Sequence, residues 1–150
     1  MQNLIPHRFD PDTFGFLVTD LARMIRADMD RRIESAGIGI TPGEARALVY
    51  AARFGKVRQS VLAERMGLEA MTVSGYLDRL EQRGFVKRVP DPADGRAKLV
   101  QLTDKADGAL EAIARMGAEV RGRARGEMSE EEWTSLLALL KAARQQFCRP

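Results

Sequence analysis

The sequence contains few of the residues that build redox or metal sites. Its 150 residues include one cysteine, Cys148, and one histidine, His7. A single cysteine cannot support an internal disulfide framework or a thiolate metal cluster, and this usage is typical of a reducing compartment. Metal sensing needs a cluster of His, Cys or carboxylate ligands, which the pattern does not indicate. We therefore predict no metal and no cofactor, and we interpret Cys148 as a spectator thiol.

Long apolar runs are also absent. No run approaches the ~18–20 residues that cross a membrane. The N-terminal stretch MQNLIPHRFDPD lacks the basic and then apolar pattern of an export leader. The chain also lacks a nucleophile paired with a base and a glycine loop for phosphate. We expect a cytoplasmic protein with no membrane partner and no enzymatic activity.

The charge that is present is distributed unevenly. The net charge of the chain is +3. Residues 1–40 carry a net charge of −1 and residues 107–150 a net charge of 0, whereas residues 41–106 hold 12 Lys/Arg and 8 Asp/Glu, a net charge of +4. This asymmetry suits phosphate binding by the central segment, although a solvated basic surface has the same composition.

Hydrophobic periodicity and capping signals predict helices on both sides of a small β-hairpin. A helix is predicted over residues 12–36 and a second from the capping box at 41–44, with Ala45, Leu48, Val49 and Ala52 as its apolar stripe. A short helix over 59–66 and a fourth from about 69 to 84 follow. Strands are predicted over 85–89 and 98–102, with a turn over 90–95 between them.

Two further helices complete the predicted organisation. Thr103 is predicted to cap a fifth helix over about 104–125, and a second capping box at 129–132 opens the sixth. The fold class is therefore mainly α with a small β-hairpin wing (α+β), a winged helix-turn-helix in a single domain of 1–150. Residues 41–106 form the DNA-binding unit of this prediction. The long amphipathic helices within 1–40 and 107–150 are predicted to dimerise, the alternative being that they fold back on their own chain.

The fourth helix and the hairpin carry the candidate DNA contacts. A recognition helix needs an apolar face to hold it and small or polar residues to enter the major groove. At the hairpin tip, Asp94 is expected to orient the Arg96 guanidinium toward the minor groove. The predicted DNA-binding residues are Arg58, Gln59, Ser60, Ala70, Met71, Thr72, Gly75, Tyr76, Arg79, Asp94, Arg96 and Lys98.

The segment LAERMGLEAMTVSGYLDRLEQRGFVKRVPDPADGRAKLVQLTDKA resembles the winged-helix core of the MarR family of bacterial transcriptional regulators. LAERMG, LDRLEQRGFVKR and the wing DPADGRAKLVQLT carry this resemblance. One departure is Gly75, where family members often have arginine, so the preferred DNA sequence is left open. The resemblance implies a homodimer that binds pseudo-palindromic double-stranded DNA, most often as a repressor.

The resemblance also implies release from DNA by a small molecule, often aromatic or phenolic. Candidate ligand contacts between the first, second and fifth helices are Phe16, Met24, Tyr50, Arg53 and Met116. Thiol sensing in the family uses a cysteine in the first helix, which this chain lacks. Two alternatives stay open: a winged helix used for protein contacts, and a constitutive DNA binder with no ligand.

Overall fold

The computed structural model describes residues 9–149, which contain six helices and one small sheet and confirm the predicted fold class. The helices are α1 (Phe14–Ala36), α2 (Pro42–Phe54), α3 (Gln59–Met66), α4 (Ala70–Gln82), α5 (Ala106–Arg125) and α6 (Glu130–Phe147). The strands are β1 (Val57–Arg58), β2 (Val86–Asp91) and β3 (Asp94–Leu102). The chain divides into two compact units, one ending at Met116 and the other beginning at Gly117. No helix within residues 9–149 is long and apolar enough to cross a membrane.

Helix α2 begins at the predicted capping box. The Glu44 backbone N–H donates to Thr41 Oγ1 at 3.2 Å, and the Thr41 backbone N–H donates to Glu44 Oε2 at 3.0 Å. These two bonds satisfy donors that the first turn of a helix leaves free. The predicted stripe was wrong in part, because Val49 and Ala52 are exposed. The buried stripe of α2 instead comprises Gly43, Glu44, Ala45, Ala47, Leu48 and Ala51.

The core of the first unit lies where α2, α3 and α4 meet the sheet. Leu48, Leu62, Leu77, Leu80 and Val100 are fully buried there. Complete removal of such side chains from water stabilises a fold by roughly 1.5–3 kcal/mol each. This core holds α4 by one face and leaves its opposite face free.

The sheet has three antiparallel strands in the order β1-β3-β2, and β1 was not predicted. Two residues pair in β1, Val57 with Val100 and Arg58 with Leu99, which is too short a run to leave a sequence pattern. The turn was predicted over residues 90–95, but β2 and β3 continue to Asp91 and Asp94. The Ala93 backbone N–H donates to Asp91 Oδ1 at 2.9 Å, an Asx-type turn that tightens the connection.

The region after β3 differs from the prediction that Thr103 caps α5. The Thr103 hydroxyl donates to the Gly84 carbonyl and lies 3.2 Å from the Phe85 carbonyl oxygen. It therefore ties the end of β3 to the start of β2, and α5 begins two residues later than expected, at Ala106. The prediction failed because the hydroxyl found a partner 19 positions away in sequence.

Each unit carries apolar side chains that stay exposed. In the first unit, helix α1 exposes Phe14, Phe16, Leu17, Val18, Leu21, Met24 and Ile25, each by 39% or more. In the second, α6 opens with the predicted capping box, where Ser129 Oγ accepts from the Glu132 N–H at 3.1 Å. Helix α6 has no buried residue and exposes Leu137, Leu139, Leu140 and Phe147. Several exposed apolar side chains on one helix are typical of a surface that binds another protein.

Candidate nucleic-acid interface

Helix α4 is anchored on one side and bare on the other. Val73, Leu77 and Leu80 are fully buried, at the spacing that places them on one helix face. Ala70, Met71 and Thr72 are exposed at the N-terminal end of the helix, and the Met71 residue is 88% exposed. A firmly held helix that presents short and apolar side chains at its N-terminal end can enter a major groove and contact base edges or thymine methyls.

Gly75 lies on α4 beside the Arg79 guanidinium. A β-carbon built at Gly75 would lie 3.7 Å from Arg79 Nη1, an ordinary van der Waals distance. The described part of the fold therefore does not require glycine at this position. Because glycine has no side chain, the backbone of α4 is uncovered at this turn of the helix.

Tyr76 and Arg79, both predicted to contact DNA, turn toward α2. The Tyr76 ring lies against Gly43, where an added β-carbon would be only 2.6 Å from Tyr76 Cε1. The Arg79 Nε donates to Glu44 Oε1 at 2.6 Å. The Arg79 side chain is nevertheless 52% exposed, so its remaining N–H groups can also contact a phosphate.

The start of α3 holds three more predicted contacts. Arg58 precedes α3 and donates from Nε to Asp91 Oδ2 at 2.5 Å, so it joins the start of α3 to the wing turn. Gln59 is half-buried and its Oε1 accepts from Arg88 Nη1 at 3.4 Å. Ser60 is exposed. Of these three, Ser60 has the most accessible side chain for a backbone phosphate.

Arg88 was not among the predicted site residues, yet it joins α4 to the wing. Its Nη2 donates to Asp78 Oδ1 at 2.5 Å and to Glu81 Oε1 at 3.0 Å, and its backbone N–H donates to Glu81 Oε2 at 2.9 Å. The side-chain bond from Arg88 lowers the pKa of the Glu81 carboxyl, and the same bond raises the pKa of Arg88. No sequence signal predicts that Arg88 meets Asp78 and Glu81, because Arg88 lies on β2 and the two carboxylates lie on α4.

The wing carries the exposed cations Arg96 and Lys98 on β3. Asp94 was expected to orient the Arg96 guanidinium, but its Oδ1 accepts from the Arg96 backbone N–H at 3.0 Å. The expectation failed because Asp94 and Arg96 are two apart on one strand, where a carboxylate reaches the nearby backbone first. Within the described residues, neither Arg96 nor Lys98 forms an ion pair. Both are thus available to a phosphate or a minor groove.

The five predicted ligand contacts have different environments. Phe16 and Met24 are exposed on α1, and the Phe16 ring lies edge-on to Phe9 at 6.3 Å between centroids. Tyr50 and Met116 are half-buried against the core of the first unit. The Arg53 guanidinium stacks over the Phe54 ring, 5.3 Å from its centroid. The ligand assignment of these residues stays a prediction.

His7 lies outside the described residues, as do the other residues of the N-terminal stretch 1–8, for which no export leader was predicted. Cys148 is a free, exposed thiol at the end of α6. The interpretation of Cys148 as a spectator and the expectation of no metal therefore stay predictions.

Comparison with known sequences identifies relatives of the central segment and of longer regions. A family model described as "MarR family" matches residues 38–97. The regulator YkoM of Bacillus subtilis is 32% identical over 105 residues, which cover 70% of this chain and 68% of that protein. The repressor MdtR of the same organism is 29% identical over 75% of this chain and 71% of its own length. The chain spans about half of another relative, YfiV (52% of its length, at 35% identity).

Comparison with solved structures covers more of the chain. A probable transcriptional regulator from Pseudomonas aeruginosa is 31% identical, with a TM-score of 0.66 over 88% of this chain and 97% of that one. A cysteine-to-serine mutant of Escherichia coli MarR, solved with operator DNA, has a TM-score of 0.67 at 22% identity, over 86% of this chain and 91% of that one. The second likeness is one of fold alone.

Proposed function

This chain belongs to the MarR family of DNA-binding transcriptional regulators, and from that premise we propose that it acts as a homodimeric repressor at a pseudo-palindromic operator. Helix α4 would enter the major groove, and Arg96 of the wing would reach the adjacent minor groove. The observation that carries this proposal is the pairing of an anchored helix with a bare outer face and a wing whose cations are exposed.

The distribution of ion pairs supports a division of labour among the basic residues. Arg58, Arg79, Arg83 and Arg88 each pair with a carboxylate inside the first unit. Arg96 and Lys98 have no such partner within residues 9–149. A cation that is already paired must share its donors with a phosphate, whereas a free cation can release a condensed counterion from DNA directly. Arg96 and Lys98 lie on the wing and are unpaired within that range, so they are stronger candidates for electrostatic contact than the four paired arginines.

Homodimerisation is supported by the exposed apolar side chains of α1 and α6. Two copies related by a two-fold axis would place two α4 helices on successive major grooves, which is why the operator is proposed to be pseudo-palindromic. We assign residues 41–106 to DNA binding, and residues 1–40 and 107–150 to dimerisation. A regulator of this kind acts at the chromosome, so we place it in the cytoplasm.

The repressor role rests on relatives such as MdtR, which is named a transcriptional repressor. We further propose that a small aromatic or phenolic effector releases the protein from DNA. Tyr50, Phe54 and Arg53 support this part of the proposal, because the two rings lie 6.1 Å apart and a guanidinium covers one of them. A planar acid could pair with the Arg53 guanidinium and stack on the Tyr50 ring, because both Arg53 and Arg65 lie over the Phe54 ring.

The direct test is to sequence the genomic DNA that the purified protein retains from its source organism. A shared pseudo-palindromic site is expected, and its affinity should fall steeply between low and moderate salt because binding releases counterions. Absence of an enriched site, together with salt-independent binding, would favour the alternative of a winged helix used for protein contacts. Titration of the bound operator with small aromatic acids tests the effector.

A further inference from the structure

The N-terminal turn of α2 contacts the outer flank of α4, and we propose that Glu44 in this turn is a positioning residue for operator recognition. It fixes the side chains of Arg79 on the recognition helix and of Arg83 at its C-cap, and so sets the specificity of DNA binding. This inference rests on the proposed function of α4 as the recognition helix.

Glu44 is a buried carboxylate whose two oxygens are both engaged. Its side chain is only 2% exposed. Oε1 accepts from Arg79 Nε at 2.6 Å, while Oε2 accepts from the Thr41 backbone N–H at 3.0 Å and lies 3.4 Å from Arg83 Nη1. A buried charge is tolerated only where partners of good geometry satisfy it, so the arginines are held to a narrow range of positions.

The position of Glu44 itself is fixed by its own helix. The hydrogen bonds that close the capping box with Thr41 hold the Glu44 backbone and side chain without any contribution from α4. The carboxylate therefore cannot follow a movement of Arg79, and the two arginines must orient toward it. They lie 35 and 39 positions later in the chain, so the contact joins elements that sequence alone keeps apart.

A second contact at the same place restricts the rotation of α4. The Tyr76 ring occupies the space beside Gly43, and the Arg79 guanidinium stacks over that ring at 5.6 Å from its centroid. With Nε on Glu44 and one face on Tyr76, the outward N–H groups of Arg79 point in a defined direction. They lie beside Gly75, whose missing side chain leaves the flank of α4 open to a DNA backbone.

The substitution Glu44→Gln separates positioning from simple electrostatics, because only positioning predicts a change in the ratio of operator affinity to random-sequence affinity. Glutamine keeps an acceptor for the Thr41 N–H but removes the charge that holds both arginines. Loss of one negative charge would by itself tighten binding to any DNA. If Glu44 positions the arginines, affinity for the selected operator falls relative to affinity for random-sequence DNA of equal length.

The experiment measures fluorescence anisotropy of two labelled duplexes, the operator selected by the parent protein and a random-sequence duplex of equal length. Glu64→Gln is the matched control, since Glu64 is an exposed residue on α3 and the charge change is identical. We expect the ratio of operator to random-sequence affinity to fall about tenfold for Glu44→Gln, because phosphate contacts from Arg79 and Arg83 fix the register of α4 against base edges that only the operator supplies, and to stay at the parent value for Glu64→Gln.

One outcome would overturn the proposal, an operator-to-random ratio for Glu44→Gln equal to that of Glu64→Gln. An equal loss of affinity for both duplexes gives that unchanged ratio and indicates a smaller folded fraction rather than a displaced side chain. If Glu44→Gln does not fold, Glu44→Asp decides, because aspartate keeps the charge and the helix-capping chemistry but its carboxylate is one methylene shorter: a reduced ratio supports positioning and an unchanged ratio overturns it. If the parent protein binds the operator no more tightly than the random-sequence duplex, the proposed function itself is contradicted.

Discussion

At the scale of single residues, basic side chains that look equivalent in the sequence have different roles in the fold. Arg58, Arg79, Arg83 and Arg88 are each committed to a carboxylate. The wing residue Arg96 is exposed, and its backbone N–H is fixed by Asp94. The structure therefore ranks Arg96 above the paired arginines as a DNA contact.

Arg96→Ala is expected to weaken operator binding about tenfold or more, because a cation in or near a minor groove is lost. The slope of log affinity against log salt should also become less steep, by about one contact. The measurement is operator affinity at several salt concentrations. Lys141→Ala, which removes one exposed positive charge on α6, is the control and should change neither quantity. Unchanged affinity of Arg96→Ala would contradict the wing assignment.

Thr72→Ala tests the exposed face of α4. Thr72 is exposed beside Met71 while the neighbouring Val73 is fully buried, so removal of its hydroxyl should leave the fold intact. Loss of one base contact should change the preference at one base step by roughly 1–3 kcal/mol. Selection of binding sites from a random library checks this. Identical selected sites for Thr72→Ala and the parent would show that Thr72 does not contact a base.

At the scale of elements, ion pairs at both ends of the wing hold it to the rest of the first unit. Arg88 connects β2 to α4 through Asp78 and Glu81. Arg58 connects β1 to the wing turn through Asp91. The N–H of Ala93, and after it Arg58, lowers the pKa of the Asp91 carboxyl below its ordinary value of 3.8. The geometry of the wing thus depends on carboxylates that are ionised at neutral pH.

The stability of the wing should consequently depend on pH. A carboxyl with a lowered pKa in the folded state contributes stability that is fully present above its unfolded pKa of about 4 and is lost as pH falls through the folded value. Asp91→Ala should therefore lower the free energy of unfolding at pH 7 by more than it does at pH 3. Urea denaturation at the two pH values measures this difference. Equal losses at both would show that the Asp91 charge does not stabilise the wing.

At the scale of the whole molecule, α1 and α6 each expose apolar side chains that nothing within residues 9–149 covers. Leu21 on α1 and Leu137 on α6 are 50% and 47% exposed. Burial of such side chains in an interface contributes about 25 cal/mol per Å² of apolar area. A second copy of the chain is the partner we propose for them.

Leu137→Glu should shift the protein from dimer to monomer, because a charged side chain replaces apolar area in the proposed interface. Sedimentation velocity gives the mass, and circular dichroism checks that the helices persist. Met71→Glu is the matched control, since Met71 is even more exposed but lies on α4, outside the proposed interface. A Leu137→Glu protein with the parent's mass would contradict the assignment of α6 to dimerisation.

The sequence by itself determined the local elements of this protein and its family. The capping boxes at Thr41 and Ser129 were predicted because their partners lie three residues apart. The wing sequence indicated the MarR family without any tertiary contact. It predicted a turn longer than the one between Asp91 and Asp94, and it did not predict β1.

Only the tertiary structure decided which charged groups are free to bind DNA. Glu44 was predicted as a helix cap, but its second role depends on Arg79, 35 positions later. Arg58 was predicted as a DNA contact, but it pairs with Asp91, 33 positions later. Charge patterns report how many cations a segment holds and not which carboxylates they meet. Those pairings are set by the packing of α2, α4 and the sheet around one core, because packing brings together groups that no local spacing connects.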